Sequence, residues 1–295
     1  MILIRLKGGL GNQLFQYAAG RALALRQKKI NTSGEPQIKL DVTGYGVRSG
    51  LDTVRHYTLD IFNIRSEIAT SEEIRKLKYP HGIISKGWRF FKAKILRQFN
   101  TGFVENIFNT QGSIYLDGFF QTEKYFIDHE KEIRDDLTLK VPLSNEFRKI
   151  LDIINTTPYT VSLHVRRGDY VQDQNTNKYH GTCDKEYYKK ALEILTEKIG
   201  KNLHIFIFSD DIDWVKENML INYPVTYVSS PNIKDYEELI LMSACKHNII
   251  SNSSFSWWGA WLNKNPDKIV IAPKRWVMKD EKRFKDICPN SWIRI

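Results

Sequence analysis

Thr160-Val161-Ser162-Leu163-His164-Val165-Arg166-Arg167-Gly168-Asp169-Tyr170 alternates apolar and polar side chains up to Arg166 and then breaks at a glycine. A side-chain period of two makes this a strand with Val161, Leu163 and Val165 on one face. Thr160, Ser162, His164 and Arg166 share the other face, and Arg167 points away from Arg166. In an open α/β sheet, ligands bind at the carboxyl ends of strands, which is where His164 and Arg166 fall. Two groups able to carry positive charge there suit a phosphate, which a guanidinium grips bidentately. The same residues also fit a solvated strand edge and an ordinary turn, so other segments have to decide.

Outward from this strand, the second half alternates strand and helix. Strands are predicted over 203–208, 225–228, 248–251 and 268–272. Helices are predicted over 185–198, from 213, over 236–245 and over 253–263. This order implies a parallel sheet with right-handed crossovers. The first half opens with a strand over 2–6, a glycine turn (Gly8-Gly9-Leu10-Gly11) and a helix from Asn12 to about Lys28. Further strands are predicted over 37–40 and 113–116, with helices over 128–137 and 146–154. The reading is α/β: two Rossmann-like domains facing across a cleft, 1–150 and 151–295.

The chain has 295 residues, 42% hydrophobic and 26% charged, which is the composition of a globular protein of up to two domains. Its amino terminus does not read as a signal peptide, and no apolar run reaches the length of a membrane span. The three cysteines, Cys183, Cys245 and Cys288, form no CxxC pair. That pattern argues against a disulfide framework or a zinc site and fits a reducing cytoplasm. A net charge of +10 suits an anionic partner. Lys and Arg are spread along the chain without a nucleic-acid motif, so an anionic small molecule is favoured over nucleic acid. Residues 84–99 read as a basic amphipathic helix, either packed on the core or lying against an anionic membrane.

Two further strand ends carry polar chemistry. The glycine turn lets a ligand approach the backbone, and the helix after it offers unpaired N–H groups. It matches neither a dinucleotide fingerprint nor a Walker motif, and a plain tight turn is the alternative. Asn252-Ser253-Ser254-Phe255-Ser256-Trp257-Trp258-Gly259 repeats the arrangement, with an N-cap among its first polar residues and hydroxyls able to reach phosphate oxygens. Trp257, Trp258 and Trp261 read as packing, because the first two adjoin and cannot share one helix face. In Ser209-Asp210-Asp211-Ile212-Asp213, Asp211 and Asp213 have the spacing of a metal-binding pair. Equally, Asp213 suits a helix cap and Asp210 an acceptor for a base or ribose. Two strand ends rich in N–H groups or positive charge already meet a diphosphate, which favours the metal-free reading.

These motifs together resemble the α-1,2-fucosyltransferases of glycosyltransferase family 11. The matching segments are Gly8 to Ala18, Arg55 to Phe62, Gly118 to Phe126, His164 to Tyr170, Phe208 to Asp211 and Ile250 to Trp261. The resemblance implies a GT-B fold, GDP-L-fucose as donor, inversion at the anomeric carbon, no required metal or other cofactor, and GDP in the carboxy-terminal half. It implies that Arg166 holds the β-phosphate with His164 beside it, and that Ser253, Ser254 and Phe255 line the nucleotide. Gly9, Gly11, Asn12 and Gln13 then approach from the other domain, with Asp210 as a further nucleotide contact. Arg166, His164, Asn12 and Asp169 are the catalytic candidates, Asp169 as a base or as an orienting partner of the arginines. The expected acceptor is a galactose-containing oligosaccharide or lipid-linked glycan of a surface glycan or O-antigen. The expected location is the cytoplasm, with peripheral contact at the inner membrane face. Transfer to another sugar or a protein hydroxyl, and a non-catalytic GDP- or glycan-binding module, are the alternatives.

Overall fold

The computed structural model describes residues 1–30, 34–46, 54–78, 102–168, 178–179, 181–278 and 281–295. Asp169 and the segment 84–99 lie outside the described residues. The chain divides into two compact units. The first comprises Met1–Val141 with Arg283–Pro289, the second Pro142–Lys282 with Asn290–Ile295. The division falls at 141/142, so the helix starting at Asn145 belongs to the second unit. Its apolar face explains why: Phe147, Ile150 and Ile154 pack with Phe206, Phe208 and Leu241 of that unit.

The first unit is a four-stranded parallel sheet of β1 (Ile2–Arg5), β2 (Ile38–Asp41), β3 (Glu67–Ile68) and β4 (Ile114–Leu116), in the order β3-β2-β1-β4. Helix α1 (Leu10–Ile30) is buried along most of its length, including Gln13, Gln16, Arg21 and Gln27. A buried guanidinium has to be neutralised where it lies. Arg21 Nε donates to Asp136 Oδ2 at 2.7 Å, and the Tyr17 hydroxyl donates to the same oxygen at 2.8 Å. Asp136 ends α3 (Glu130–Asp136), so the ion pair ties the two helices together. The short helix α2 (Ser71–Lys78) packs through Ile74, which is buried, and Leu77, which is partly buried, and is not among the helices expected from the sequence.

The second unit is a six-stranded parallel sheet of β5 (Thr160–Val165), β6 (His204–Ser209), β7 (Val225–Tyr227), β8 (His247–Ile249), β9 (Val270–Ala272) and β10 (Ile293–Arg294). The strand order is β10-β9-β8-β5-β6-β7. Among the described residues its α-helices are α4 (Asn145–Thr156), α5 (Lys185–Ile199), α6 (Ile212–Asn218), α7 (Asp235–Ala244) and α8 (Ser254–Leu262). Every residue of β5 is buried, because helices cover both faces of a parallel sheet. From β5 the chain moves to β6 and β7 on one side, then returns to β8 on the other. The strand order therefore reverses between β5 and β8, and such a reversal opens a crevice at the carboxyl ends. Trp257, Trp258 and Trp261 are buried against one another and against Trp292, as packing residues.

Gly20 in α1 faces β1, and a Cβ there would lie 2.1 Å from Ile4 Cδ1 and 2.6 Å from its Cγ1. Helix propensity alone makes Gly→Ala stabilising by about 1 kcal/mol. Overpacking a fully buried Ile4 costs about 1–3 kcal/mol. Gly20→Ala is therefore expected to destabilise the protein, read as a lower urea midpoint at unchanged slope.

Candidate active site

The crevice of the second sheet is flanked by His164 to Gly168 at the end of β5 and by Ser251 to Phe255 after β8. His164 is buried, with Nδ1 2.8 Å from the Ser251 hydroxyl and its ring centroid 5.8 Å from that of Phe255. Burial, reinforced by the neighbouring Arg166 charge, pushes the imidazole down to about 3. The ring is neutral at physiological pH. His164 thus lines the crevice without charge, and of the two groups able to carry positive charge here only Arg166 does so.

Arg166 is placed by Asp210, at the end of β6. Asp210 Oδ2 lies 2.9 Å from Arg166 Nη1, and Asp210 Oδ1 accepts the backbone N–H of Arg167 at 2.8 Å. A Cβ at Gly168 would lie 2.4 Å from Asp210 Oδ2, so a residue without a side chain is needed for this approach. Arg167 turns the other way. Its guanidinium lies 3.5 Å from the Trp214 ring centroid and its Nε donates to Asp211 at 3.2 Å. Asp211 is also the N-cap of α6, accepting from Trp214 N. Asp213 pairs with Lys216 on the surface. Both members of the suspected metal pair are thus committed to helix α6. Among the described residues no group of three or more His, Cys, Asp or Glu is placed to hold a metal ion.

Across the crevice, Ser253 caps α8 by accepting from Phe255 N at 3.3 Å, and the first turn of α8 begins at Ser254. Asn252 donates through Nδ2 to the carbonyls of Gly181 and Trp276, so it ties loops together and leaves the capping to Ser253. A guanidinium and a helix N-terminus thus meet at one strand reversal, an arrangement fitted to a phosphate or diphosphate.

Two further residues of this end are not singled out by the sequence, although Ser251 lies in the matching segment 250–261. Ser251 is buried and holds His164. Glu238, in α7, is half-buried and receives a hydrogen bond from Ser229, at the end of β7. Burial pushes its carboxyl up, the Ser229 bond opposes this, and the charges of Asp235 and Asp210 add to the rise, to about 7. Nothing in the run Asp235-Tyr236-Glu237-Glu238 distinguishes the last glutamate. Its neighbour Glu237 is buried as a structural group, accepting from Ser144 N at 2.6 Å and Lys234 N at 3.0 Å.

In the first unit, the glycine turn is shorter than expected, and α1 starts at Leu10. Gly11, Asn12 and Gln13 therefore lie in its first turn, while Gly8 alone takes the left-handed conformation, φ +83°. Gly9 accepts the N–H groups of Asn12 and Gln13 through its carbonyl, and an added Cβ there would lie 3.8 Å from Arg55 Nη1. Gln13, expected at the donor, is buried with its amide engaged inside the unit. Nε2 donates to the carbonyls of Gly8 and His56, and Oε1 accepts Thr58 N. It is a strut holding the turn to the 56–58 segment. Asn12 is partly exposed, and its Oδ1 accepts from Gln121 Nε2 at 2.7 Å.

Fold and site define a class: an α/β protein of two parallel-sheet units, as in the GT-B type, with a guanidinium and a helix N-terminus at the strand reversal of the second. The family model Glycosyl transferase family 11 matches residues 45–295. An α-1,2-colitosyltransferase of Escherichia coli is 34% identical over 100% of this chain and 99% of the relative. The O-antigen biosynthesis glycosyltransferase WbnK of Escherichia coli is 32% identical over 98% of this chain and 99% of its own length. A galactoside 2-α-L-fucosyltransferase of Caenorhabditis elegans is 26% identical, covering 100% of this chain and 79% of the relative. The chain belongs to glycosyl transferase family 11, and it is a glycosyltransferase.

The His164 environment has a consequence for stability. The folded imidazole titrates near 3, the unfolded one near 6.5. Below about pH 6.5 the unfolded chain gains a proton that the folded one refuses, so stability falls as pH drops through that window, by up to about 1.4 kcal/mol per pH unit. Urea unfolding of the wild type and His164→Gln between pH 7.5 and 4.5 should show a shallower decline in the variant. Parallel curves would contradict a buried neutral His164.

Proposed function

We propose that this chain transfers L-fucose from GDP-β-L-fucose to the 2-hydroxyl of a galactose-type acceptor, with inversion and without a divalent metal. The observation that carries this reading is the guanidinium of Arg166, aligned by Asp210 at the strand reversal that α8 also faces. Departure of GDP builds negative charge on the β-phosphate while positive charge grows on the sugar ring. A donor aligned before the reaction stabilises that charge more in the transition state than in the bound donor, which is what accelerates the step. Arg166 and the first-turn N–H groups of α8 supply this stabilisation. His164, being neutral, adds a polar wall without competing for the phosphate charge.

The carboxylates divide the remaining work. Asp210 keeps Arg166 in place, and Glu238 offers acceptor oxygens to the N–H and O–H donors of the nucleoside. Asp211 and Asp213 serve α6, which supports a diphosphate countered by Arg166 and backbone N–H groups. The α-1,2 linkage and the galactoside acceptor are supported by the names of the relatives, and surface glycan or O-antigen synthesis by that of WbnK. A lipid-linked acceptor would place the chain at the inner membrane face. Among the described residues no helix is long and apolar enough to cross a membrane. A second reading, favoured by the colitosyl relative at 34% identity, is that the sugar transferred is colitose, which lacks the 3-hydroxyl of fucose.

GDP release from GDP-fucose and from GDP-colitose, with galactosides as acceptors and EDTA present, tests the assignment directly. Turnover of the first donor in EDTA is the expected result. Arg166→Ala should lower kcat by about 100- to 1000-fold, and Arg166→Lys should recover little, because an ammonium lacks the planar fork. Near-normal turnover by Arg166→Ala would remove Arg166 from the mechanism.

Glu238 predicts a pH dependence of donor affinity. Its carboxyl titrates near 7, and protonation turns one of its two acceptor oxygens into a donor. GDP affinity should therefore weaken as pH falls below about 7, by at most about tenfold per pH unit. Calorimetry across pH 5.5–8.5 should show that decline in the wild type and a flatter profile in Glu238→Gln.

A further inference from the structure

The sheet of the first unit also reverses its strand order. The chain leaves β1 for β2 and β3 on one side and returns to β4 on the other. The turn after β1 and the segment Asp117–Gln121 after β4 therefore flank a second crevice, at carboxyl strand ends like the first. Three side-chain contacts span it. Arg5 and Lys7 each lie 2.9 Å from a different oxygen of Asp117, and Gln121 Nε2 donates to Asn12 Oδ1 at 2.7 Å. Burial acts to raise the Asp117 carboxyl, but the bonds from Lys7 and Arg5 outweigh it and hold the group below the ordinary carboxylate range. Asp117 is thus a fixed counter-ion, poorly suited to take up a proton.

Between Asp117 and Gln121 the backbone is strained. Phe120 has φ +52°, a left-handed conformation that costs a bulky side chain about 1–3 kcal/mol. It persists because its buried ring packs edge-on against Tyr125, with centroids 5.4 Å apart, and because its carbonyl accepts Thr122 N at 2.8 Å. The residues on either side of the kink both reach the crevice. Phe119 lies with its ring centroid 4.7 Å from Lys7 Nζ, and Gln121 meets Asn12.

We propose that Gln121 is a positioning residue that fixes the orientation of the Asn12 amide, so that Asn12 Nδ2 donates to an oxygen of the substrate. An asparagine amide has one acceptor and one donor end. Gln121 occupies the acceptor end, which leaves Nδ2 turned over Gly8. A Cβ at Gly8 would lie 2.5 Å from that nitrogen, so the absence of a side chain there makes room for the amide in this orientation. The strain at Phe120 is the means by which a residue after β4 comes to hold one after β1. The inference rests on the reading of the chain as a sugar-nucleotide transferase and adds a specific role to a segment outside the phosphate site.

A double-mutant cycle tests it, run on whichever of GDP-fucose and GDP-colitose the wild type turns over. Gln121→Glu replaces the donor to Asn12 Oδ1 with an acceptor and should rotate the amide. It is expected to lower kcat by about 100-fold, with acceptor KM within about threefold. Gln121→Met, which neither donates nor repels, should fall between this variant and the wild type. In an Asn12→Ala background, Gln121→Glu should add less than about twofold, since the two residues act as one unit. Wild-type kcat in Gln121→Glu, or losses that multiply, would overturn the proposal. If Gln121→Glu does not fold, Gln121→Met carries the same cycle. If the wild type turns over neither donor, the function reading fails while this inference stays testable. The Asn12 side-chain amide resonances must then shift in Gln121→Glu, and unchanged resonances would refute it.

Discussion

His164 Nδ1 lies 2.8 Å from the Ser251 hydroxyl across the reversal between β5 and β8, and that contact joins the two strand ends on which the site is built. A charged imidazole could not occupy this position, because it would be buried beside a guanidinium. Its neutrality lets Arg166 be the cation of the crevice, with Asp210 fixing the guanidinium from the next strand. Asp210 in turn needs the bare backbone at Gly168 to come close enough. Each residue of the site thus depends on a neighbour from a different strand.

Both units solve the same geometric problem. In each, the strand order reverses beside the first strand of the unit, and hydrogen bonds bridge the gap: His164 with Ser251 in the second, Gln121 with Asn12 in the first. The bridging devices differ in kind. The second unit relies on burial and on a helix cap, which cost little in backbone strain. The first uses a left-handed phenylalanine and an ion cluster of Arg5, Lys7 and Asp117. Strain held at such a position points to a precise placement of the residues around it.

Paired carboxylates and arginines show how similar residue types part company. Arg166 and Arg167 adjoin in sequence, yet the alternation of the strand sends one to the crevice and the other to Trp214 and Asp211. Asp210 and Asp211 follow them, one to each arginine. Asp211 also caps α6 and Asp213 pairs with Lys216, so both residues of this spacing serve the start of that helix. Glu237 and Glu238 divide in the same way: one is buried as a cap, the other is held half-buried near Asp210.

The period of two in 160–166 and the strand–helix alternation after it determined the parallel sheet, because side-chain periodicity is a local property of the backbone. Placement of Arg166 at a strand end and the packing role of the three tryptophans followed from the same local rules. The helix start at Leu10, the strand of only two residues at Glu67–Ile68 and the assignment of 145–156 to the second unit did not. Those features are fixed by partners remote in the chain, as when the Gln13 amide bonds the His56 carbonyl and the Thr58 N–H. Ser251, Glu238 and Gln121 acquire their roles from strand ends that only the folded sheets bring together. Charge itself was decided at that level: a histidine's titration depends on the burial around it, which no run of letters specifies.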